Sequence, residues 1–435
     1  MSTPIAKQYI LDFEQLGLGM FVHWGLYSQA GQGEWILHYN EMIKYNEQRR
    51  QLGLPEEEPP VTLITPEYMK LKDTFTAEDF DAEKLVLTAK AAGCRYITLT
   101  TRHHEGFSLY DTCGLNDFDA PHSPAKRDLV REFVDACNKY DIVPFFYHTT
   151  LDWYKKEFSE NFDEYLEYLR KSVEILCKNY GKIGGLWFDG NWSKPDADWK
   201  ESELYATIRK YQPEAMIINN TGLELRGTTG DIEIDSVTFE RGTPEPMDRE
   251  GMPKYLAAEM CQTVNDHWGI GKADLNYKSP KELIENICDC RKVGANMLLN
   301  IGSEAQGAVN TYQNHLLGLV GEWMKIFGEA IYNGRPYPSI GIGKNFILKS
   351  TDGKSLYIFV YNLGVVGSKD VVLEGRYIGS YAFGNVTDKI KSVEWMDNGE
   401  KLDFLQGKDM LCVNFTGYPY GVSYIVRVAK AEILE

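Results

Sequence analysis

The sequence lacks several patterns that would define its class at once. It contains no apolar run of the about 20 residues that a transmembrane helix needs. No Gly-rich phosphate loop follows a predicted strand, which argues against a dinucleotide-binding fold. The stretch MSTPIAKQYILDFEQLG also lacks the basic segment and apolar core of a secretory signal. We therefore expect a cytoplasmic protein, or a secreted or periplasmic one whose leader has been removed.

Positive charge is scarce as well. The chain has 46 Lys and Arg against 63 Asp and Glu, a formal net charge of −17 and a pI of about 5.1. Such a surface repels phosphate backbones and anionic lipid headgroups. We therefore expect neither nucleic acid nor a membrane among the partners, and neutral molecules are favoured.

Metal-site spacing is a further absence. The eight cysteines include no C-x-x-C pair, and the eight histidines show neither an H-x-H nor an H-E-x-x-H spacing. Several cysteines lie in apolar segments, where a free thiol behaves as a small hydrophobe, so we expect them to be reduced. We also expect no metal and no other cofactor.

The chain does show a regular alternation of helical and β-type segments. The amphipathic segment KRDLVREFVDACNKY precedes the β-type run IVPFFYHT, and NFDEYLEYLRKSVEILCKNY precedes IGGLWFD. About eight strand candidates over roughly 300 residues predict a (β/α)8-like, TIM-type barrel. A doubly wound open sheet is the alternative.

The pattern changes after about Ile340. The segments SLYIFVYNL, DVVLEGRYIGSYAF and MLCVNFTGYPYGVSYIVRVAKAE alternate apolar and polar residues and are separated by turn residues. This alternation predicts a C-terminal antiparallel β-sandwich. We therefore expect two domains, a barrel over residues 1–337 and a sandwich over residues 338–435.

Polar residues stand at the ends of the β-type runs. Barrel enzymes build their active sites at the carboxyl ends of the strands, and four of the eight histidines fall at such positions. We expect Asp189, directly after GLWF, to be held rigidly by its strand, although capping a turn is the simpler alternative. The residues at strand ends are His23, His103, His104, Tyr147, His148, Asp189, Asn219, Asn220, Glu240, Glu259 and Asn300.

Several of these segments together resemble the α-L-fucosidase family of retaining glycoside hydrolases. They are MFVHWGLYS, GEW, RYITLTTRHHEGFSLYDT, VPFFYHTTLDWY, LWFDG and KSPKELIENICDCRKVGANMLLNIG. The resemblance covers roughly residues 10 to 330 and depends on the combination, because no single motif is specific. It implies a (β/α)8-like barrel followed by a β-sandwich. It also implies an exo-acting retaining hydrolase of terminal α-L-fucosides, with a fucosylated oligosaccharide or glycoconjugate as its partner.

The resemblance further implies roles for individual residues. Asp189, in its W-x-D context, matches the family's nucleophile. The family's general acid/base is a glutamate, for which Glu240 is the first choice and Glu259 the second. We expect Asp189 to accept hydrogen bonds and Glu240 to have a raised pKa. The residues expected to hold the fucose hydroxyls or line the site are His23, Glu34, Trp35, His103, His104, Tyr147, His148, Trp187 and Glu259.

Two further points concern the neighbours of these residues. His103 and His104 are adjacent, and adjacent residues on a strand point to opposite faces, so at most one should point into the barrel unless the strand twists.

Many family members carry an arginine where this chain has Thr221, so Arg226 or Arg241 is a candidate replacement, unless the contact is absent. Candidate stacking or leaving-group residues, which could also be simple packing, are Trp153, Trp192, Trp199, His267 and Trp268.

The sequence leaves three rival functions open. They are a retaining glycosidase for a related glycone such as α-L-galactosides, a catalytically silent carbohydrate-binding protein, and a metal-dependent hydrolase. The presence of both carboxylates argues against the second, and the absent ligand spacing argues against the third. The linkage, the aglycone and assembly into a homo-oligomer are also left open.

Overall fold

The barrel occupies the N-terminal part of the computed structural model, which describes residues 2–59, 62–367 and 378–434. Its eight parallel strands are β1 (Leu18–His23), β2 (Tyr96–Arg102), β3 (Val143–Thr149), β4 (Gly185–Asp189), β5 (Met216–Asn219), β6 (Ser236–Glu240), β7 (Ala257–Thr263) and β8 (Asn296–Gly302). Each strand pairs with the next, and β8 pairs with β1 from Leu18 to His23, which closes the sheet. The predicted (β/α)8-like barrel is therefore confirmed, and the open doubly wound alternative is wrong.

Helices surround the barrel. They are α1 (Gln8–Leu16), α2 (Tyr27–Ala30), α3 (Ile36–Gln51), α4 (Pro66–Met69), α5 (Ala82–Ala91), α6 (Leu129–Tyr140), α7 (Glu157–Glu160), α8 (Phe162–Asn179), α9 (Glu201–Tyr211), α10 (Pro280–Lys292) and α11 (Thr311–Asn333). The β5–β6 and β6–β7 connections, residues 220–235 and 241–256, are described throughout and contain no helix. The barrel therefore departs from strict alternation on both sides of β6.

Helix α6 shows how local sequence produces these elements. The Asp128 side chain accepts a hydrogen bond from the backbone N–H of Arg131 and caps the first turn. The helix ends where Asp141 adopts a left-handed conformation, which Asp tolerates better than most residues. Between these ends, residues such as Leu129 and Phe133 are fully buried, because helical spacing brings them to one face.

Strand side chains alternate between the barrel interior and the helix layer. On β3, Phe145 and Tyr147 join the interior cluster with Phe21 and Trp187. The residue between them, Phe146, belongs to the cluster between barrel and helices. This parity decides which residues at a strand end can reach a site in the barrel mouth.

The C-terminal part consists of two antiparallel sheets. The first contains β9 (Gly334–Pro336), β10 (Phe346–Ser350), β11 (Ser355–Tyr361), β13 (Ile390–Trp395) and β16 (Val426–Ile433), in the order β13-β16-β11-β10-β9. The second contains β12 (Gly379–Gly384), β14 (Phe404–Gln406) and β15 (Met410–Phe415), in the order β12-β15-β14. Side chains of both sheets share one apolar core, so the predicted sandwich is confirmed. Residues 370–377 of the predicted run DVVLEGRYIGSYAF lie outside the described residues.

The second domain packs on α10 and α11. Trp323 of α11 donates its indole N–H to the carbonyl of Val426 at 2.9 Å, and Arg291 of α10 donates to the carbonyl of Gly334 at 3.1 Å. Phe346 and Val428 belong to the same apolar cluster as the outer face of the barrel. The contact layer between the two domains is therefore apolar and continuous with the outer face of the barrel.

The cysteines and the helices can be compared directly with the sequence. All eight cysteines are free thiols, and six of them are buried. Within residues 2–59, 62–367 and 378–434, no helix combines the length and apolar character needed to cross a bilayer. In the same ranges, no three His, Cys, Asp or Glu side chains are grouped so that they could hold a metal ion.

Candidate active site

Asp189 lies at the carboxyl end of β4, where three donors converge on it. Tyr147 donates its hydroxyl to Oδ2 at 3.0 Å, while Trp192 and Asn220 donate to Oδ1 at 2.8 and 3.2 Å. Such donors stabilise an ionised carboxylate. The predicted position of Asp189, held by a strand beside two indoles, matches this geometry.

The chain turns sharply directly after Asp189. Gly190 has φ of +123°, and a Cβ atom there would lie 2.4 Å from the backbone nitrogen of Leu151. Only glycine adopts this conformation and this close approach without strain. The turn brings Trp192 back over the carboxylate, so the sequence Asp-Gly-Asn-Trp builds one wall of the site.

Glu240 ends β6 on the other side of the same pocket. Burial, and then the charge of Asp189, raise the pKa of its carboxyl to about 7. Asn220 acts in the opposite direction by donating to Oε2 at 2.8 Å, as do the nearby charges of Arg241 and Arg226. At neutral pH a large fraction of Glu240 therefore carries a proton, as a general acid requires.

The two carboxyl groups are linked by one amide nitrogen. Asn220 Nδ2 lies 3.2 Å from Asp189 Oδ1 and 2.8 Å from Glu240 Oε2. Those two oxygens are therefore separated by at most about 6 Å, the sum of the two distances. Retaining glycosidases hold their carboxyl groups about 5–5.5 Å apart and inverting ones about 6.5–9.5 Å, so the retaining geometry is favoured.

Glu259 lies below this pair, inside the barrel. It is the third residue of β7 and pairs with Thr238, two positions before Glu240 on β6. Its carboxyl accepts hydrogen bonds from the hydroxyl of Tyr96 and, at 2.9 Å, from the indole N–H of Trp187, and it is 1% exposed. Burial raises the pKa of Glu259 to about 7. The prediction that Glu259 lines the pocket, or serves as the acid/base, is at odds with this depth.

His148 also lies away from the pocket. It follows Tyr147 on β3 and therefore points outward, where its Nε2 lies 3.0 Å from the hydroxyl of Ser172 on α8. Its Nδ1 donates to the carbonyl of Thr149 at 2.8 Å. The prediction that His148 contacts substrate is wrong. Adjacent residues on a strand point to opposite faces, so His148 points outward because Tyr147 points into the barrel.

His103 and His104 both lie at the pocket, contrary to the expectation that at most one would. Strand β2 ends at Arg102, after a register shift in its pairing with β3. Both histidines therefore follow the strand, and their side chains do not have to point to opposite faces. The His103 ring stacks on Tyr147 at 5.5 Å, and its Nδ1 is buried without a partner among the described residues. His104 Nε2 lies 3.5 Å from Asp189 Oδ2.

The histidines of the pocket are neutral. Burial lowers the pKa of His23 to about 3 and that of His104 to about 4, and it lowers the pKa of His103 as well. His23 Nδ1 donates to the carbonyl oxygen of Asn300 at 2.6 Å, because that amide is oriented by its own donation to Trp268. The neutral ring therefore presents Nε2 as an acceptor.

Glu34 and Trp35 follow the short helix α2. Glu34 accepts hydrogen bonds from the backbone N–H groups of Trp268 and Gly269 at 3.1 and 2.8 Å, and burial raises its pKa. Trp35 is partly exposed and makes ring contacts with His104, Trp153 and Trp192. These contacts place both predicted residues at the barrel mouth.

The remaining tryptophans divide into two groups. Trp268 lies against His23, with ring centroids 5.3 Å apart, and so borders the pocket. Trp199 packs on Phe162 at 5.0 Å, outside the barrel, so it is structural. Trp187 stacks on Tyr147 from below, and its indole N–H is committed to Glu259.

Two arginines stand near Glu240, as candidates for the residue missing at Thr221. Arg226 donates to the main-chain carbonyl of Glu240. Arg241 places its guanidinium 5.1 Å from the centre of the Trp268 ring and donates to the carbonyl of Asp266 at 2.7 Å. Both arginines therefore contact a residue that borders the pocket, Arg226 through the main chain of Glu240 and Arg241 through the ring of Trp268.

Sequence reasoning gave no role to two residues of this region. The sequence indicates for Asn220 only a polar residue at a strand end, although it contacts both carboxyl groups. Glu105, in RHHEGF, accepts from the backbone N–H groups of Leu26 and Tyr27 at 2.7 and 3.1 Å and joins the loops after β1 and β2. A carboxylate inside a histidine-rich motif was the available signal for Glu105.

Two carboxyl groups across a pocket of imidazoles and indoles, at the mouth of a TIM-type barrel, define a glycoside hydrolase. Comparison with known proteins agrees: a family model described as alpha-L-fucosidase matches residues 5–329. The chain therefore belongs to the α-L-fucosidase family.

Individual relatives support the same family. The plasma α-L-fucosidase of Homo sapiens is 28% identical over 355 residues, 77% of this chain and 71% of that protein. The structure of α-L-fucosidase isoenzyme 1 from Paenibacillus thiaminolyticus is 28% identical, covers 98% of this chain and 99% of its own, and has a TM-score of 0.79. An α-L-fucosidase from Bacteroides thetaiotaomicron, solved as a trapped covalent intermediate, shares the fold at 20% identity, over 100% of this chain and 98% of its own, with a TM-score of 0.75.

Proposed function

We propose that this protein is an exo-acting retaining α-L-fucosidase in which Asp189 is the nucleophile and Glu240 the general acid/base. The observation that carries the proposal is the pair of contacts from Asn220, which limits the separation of the two carboxyl oxygens to about 6 Å. The family membership supports L-fucose as the glycone, and the short separation of the two carboxyl oxygens supports retention.

In the first step, Asp189 attacks the anomeric carbon and forms a covalent fucosyl-enzyme. The bond from that carbon to the leaving oxygen breaks, and Glu240 gives its proton to that oxygen. The raised pKa of Glu240, about 7, keeps the proton available near neutral pH. The kcat/KM is therefore expected to fall as the pH rises through about 7, because the acid is lost.

In the second step, the now ionised Glu240 removes a proton from water. The water oxygen attacks the anomeric carbon, the bond to Asp189 breaks, and fucose leaves with its original configuration. The Bacteroides thetaiotaomicron relative was trapped as a covalent intermediate, and we propose an intermediate of the same kind here.

The neutral imidazoles supply the recognition of the sugar. His23 and His104 each commit Nδ1 to a protein oxygen, Asn300 and Thr149, at 2.6 and 2.7 Å. Their Nε2 atoms are then acceptors for hydroxyl groups of the glycone. Glu34, Trp35, His103 and Tyr147 complete the wall, and the substrate is a fucosylated oligosaccharide or glycoconjugate.

The first experiment measures hydrolysis of an aryl α-L-fucoside by the wild type, Asp189→Ala and Glu240→Ala, with NMR of the first-formed anomer. We expect retention, near-complete loss in Asp189→Ala, and recovery of Glu240→Ala by azide, which attacks without a general base. An aryl α-L-galactoside serves as the comparison glycone. Binding of fucose without turnover would instead support a silent carbohydrate-binding protein, and undiminished turnover in Asp189→Ala would overturn the nucleophile.

A further inference from the structure

Asn220 is the only described side chain whose hydrogen bonds reach both carboxyl groups. It stands immediately after β5, where Asn219 points the other way. Asn219 donates to Glu201 and Tyr205 in helix α9, at 3.0 and 2.9 Å. Alternation has therefore divided an identical pair between the helix layer and the pocket.

The amide of Asn220 can face in only one direction. Its Oδ1 accepts from the backbone N–H of Gly222 at 3.3 Å, and a backbone N–H can only donate. The hydroxyl of Thr238, 3.0 Å away, donates to the same oxygen. The Nδ2 group, with its two hydrogens, is thus left facing Asp189 and Glu240.

This orientation assigns different tasks to the two oxygens of Glu240. Oε2 accepts from Nδ2 at 2.8 Å, so it is occupied as an acceptor. The proton of the neutral acid then sits on Oε1, which is not engaged by Asn220. A proton confined to one oxygen is donated in one direction. A general acid needs such a fixed direction to protonate the leaving oxygen.

We propose that Asn220 is a positioning residue that sets the separation of Asp189 and Glu240 and confines the catalytic proton to Oε1 of Glu240. This inference rests on the proposed function. Asn220 acts as a neutral donor shared by the two carboxyl groups, and it touches no atom that is transferred. Its removal leaves the carboxyl groups facing each other without that shared donor.

The pH dependence follows from the groups around Glu240. Without the Asn220 donor, the ionised form of Glu240 loses a stabilising contact, so its pKa rises and the alkaline limb of kcat/KM moves to higher pH. The other titratable and charged groups that face Glu240 stay in place: Asp189 on β4, Tyr147 on β3, Cys261 on β7, Arg226 before β6 and Arg241 after it. Of these, Asp189 also loses the Asn220 donor.

The experiment measures kcat, KM and the pH profile for Asn220→Ala and Asn220→Asp on aryl α-L-fucosides. For Asn220→Ala we expect kcat/KM to fall about 10- to 100-fold and the alkaline limb to rise by about one pH unit, as for a lost hydrogen bond to a charged group. Asn220→Asp keeps the volume but adds a third carboxylate, so both changes should be larger. If Asn220→Ala does not fold, Asn220→Asp alone tests the proposal by the same two measurements.

Asn219→Ala is the matched control, because Asn219 is as buried as Asn220, 6% against 4% exposed. It should lower the melting temperature and leave the alkaline limb where it is. Thr238→Val, which removes the orienting hydroxyl, should shift the limb in the same direction as Asn220→Ala but less.

Two results would overturn the proposal. One is an alkaline limb of the kcat/KM profile that stays at the wild-type pH in both Asn220 variants. The other is a shift of that limb in Asn219→Ala as large as the shift in Asn220→Ala. If Asp189→Ala still abolishes turnover in that case, the proposed function stands and only the role of Asn220 is wrong. Undiminished turnover in Asp189→Ala would instead refute the proposed function itself.

Discussion

Glu240 and Glu259 are two glutamates with the same raised pKa, about 7, in two different regions of the barrel. At the rim, the pKa of Glu240 is raised by burial and by the facing charge of Asp189. In the interior, the pKa of Glu259 is raised by burial, and its carboxyl is enclosed by Tyr96 and Trp187. A raised pKa therefore does not identify a general acid unless a partner carboxylate and an open pocket accompany it.

The largest expected difference is in turnover. Glu240→Gln removes the acid, so kcat/KM on fucosides with poor leaving groups should fall about 10²- to 10⁴-fold. In Glu259→Gln the single amide oxygen accepts from the indole N–H of Trp187, and the amide nitrogen donates to the Tyr96 hydroxyl. The kcat/KM of this variant should stay within about threefold of the wild type, since the pocket is unchanged. Steady-state kinetics with both variants measures these two losses of kcat/KM. Equal losses would show that Glu240 and Glu259 do not differ in their importance for turnover.

The next largest effect concerns stability against pH. An unfolded glutamate titrates near about 4.3, whereas burial raises the pKa of folded Glu259 to about 7. The stability from this group is thus fully present below pH about 4 and is lost as the pH rises through about 7. Relative to Glu259→Gln, the wild type should lose about 2–4 kcal/mol of unfolding free energy between pH about 4 and 8.

Urea unfolding of both proteins across this range measures that difference. Other buried carboxyl groups, such as Glu105, are present in both proteins and cancel in the comparison. A difference that does not vary with pH would show that Glu259 keeps one charge state throughout.

A smaller effect is expected from Tyr147. Tyr147→Phe removes the hydroxyl that donates to Asp189 at 3.0 Å while preserving the stack on Trp187. Loss of a hydrogen bond to a charged group costs about 1.5–3 kcal/mol, so kcat/KM should fall about 10- to 100-fold with little change in melting temperature. An unaffected kcat/KM would mean that Tyr147 does not support the nucleophile.

The smallest effect on turnover is expected from His148, the neighbour of Tyr147. His148→Gln disturbs the contacts with Ser172 and Thr149 on the outer face, so stability should fall by about 1–2 kcal/mol. The kcat/KM should stay within about twofold, since the side chain is outside the pocket. Thermal melts and kinetics on the same preparation test both statements, and a tenfold loss of kcat/KM would return His148 to the site.

Much of the site was predictable because parallel strands carry their ends to one rim. The position of Asp189 after an apolar run, together with the histidine-rich ends of β1 and β2, predicted the correct edge of the barrel. The resemblance to the α-L-fucosidase family supplied the expectation for Asp189 and for residues such as Glu34, which no periodicity indicates.

Other features required the assembled fold. The sequence predicts that a strand ends near Glu259, but β7 continues to Thr263, so Glu259 lies deep in the interior. The outward position of His148 depends on parity, and the convergence of His103 and His104 depends on where β2 ends.

The pattern of apolar residues along the chain favoured a barrel over an open doubly wound sheet, and it predicted the sandwich and the rim that bears the polar groups, because these depend on periodicity and hydrophobic burial. The pairing of Asp189 with Glu240, and the amide of Asn220 between them, depends on closure, which brings β4, β5 and β6 together. The separation of the facing oxygens of Asp189 and Glu240, at most about 6 Å, is determined by strand register and depth, and local sequence encodes neither of these.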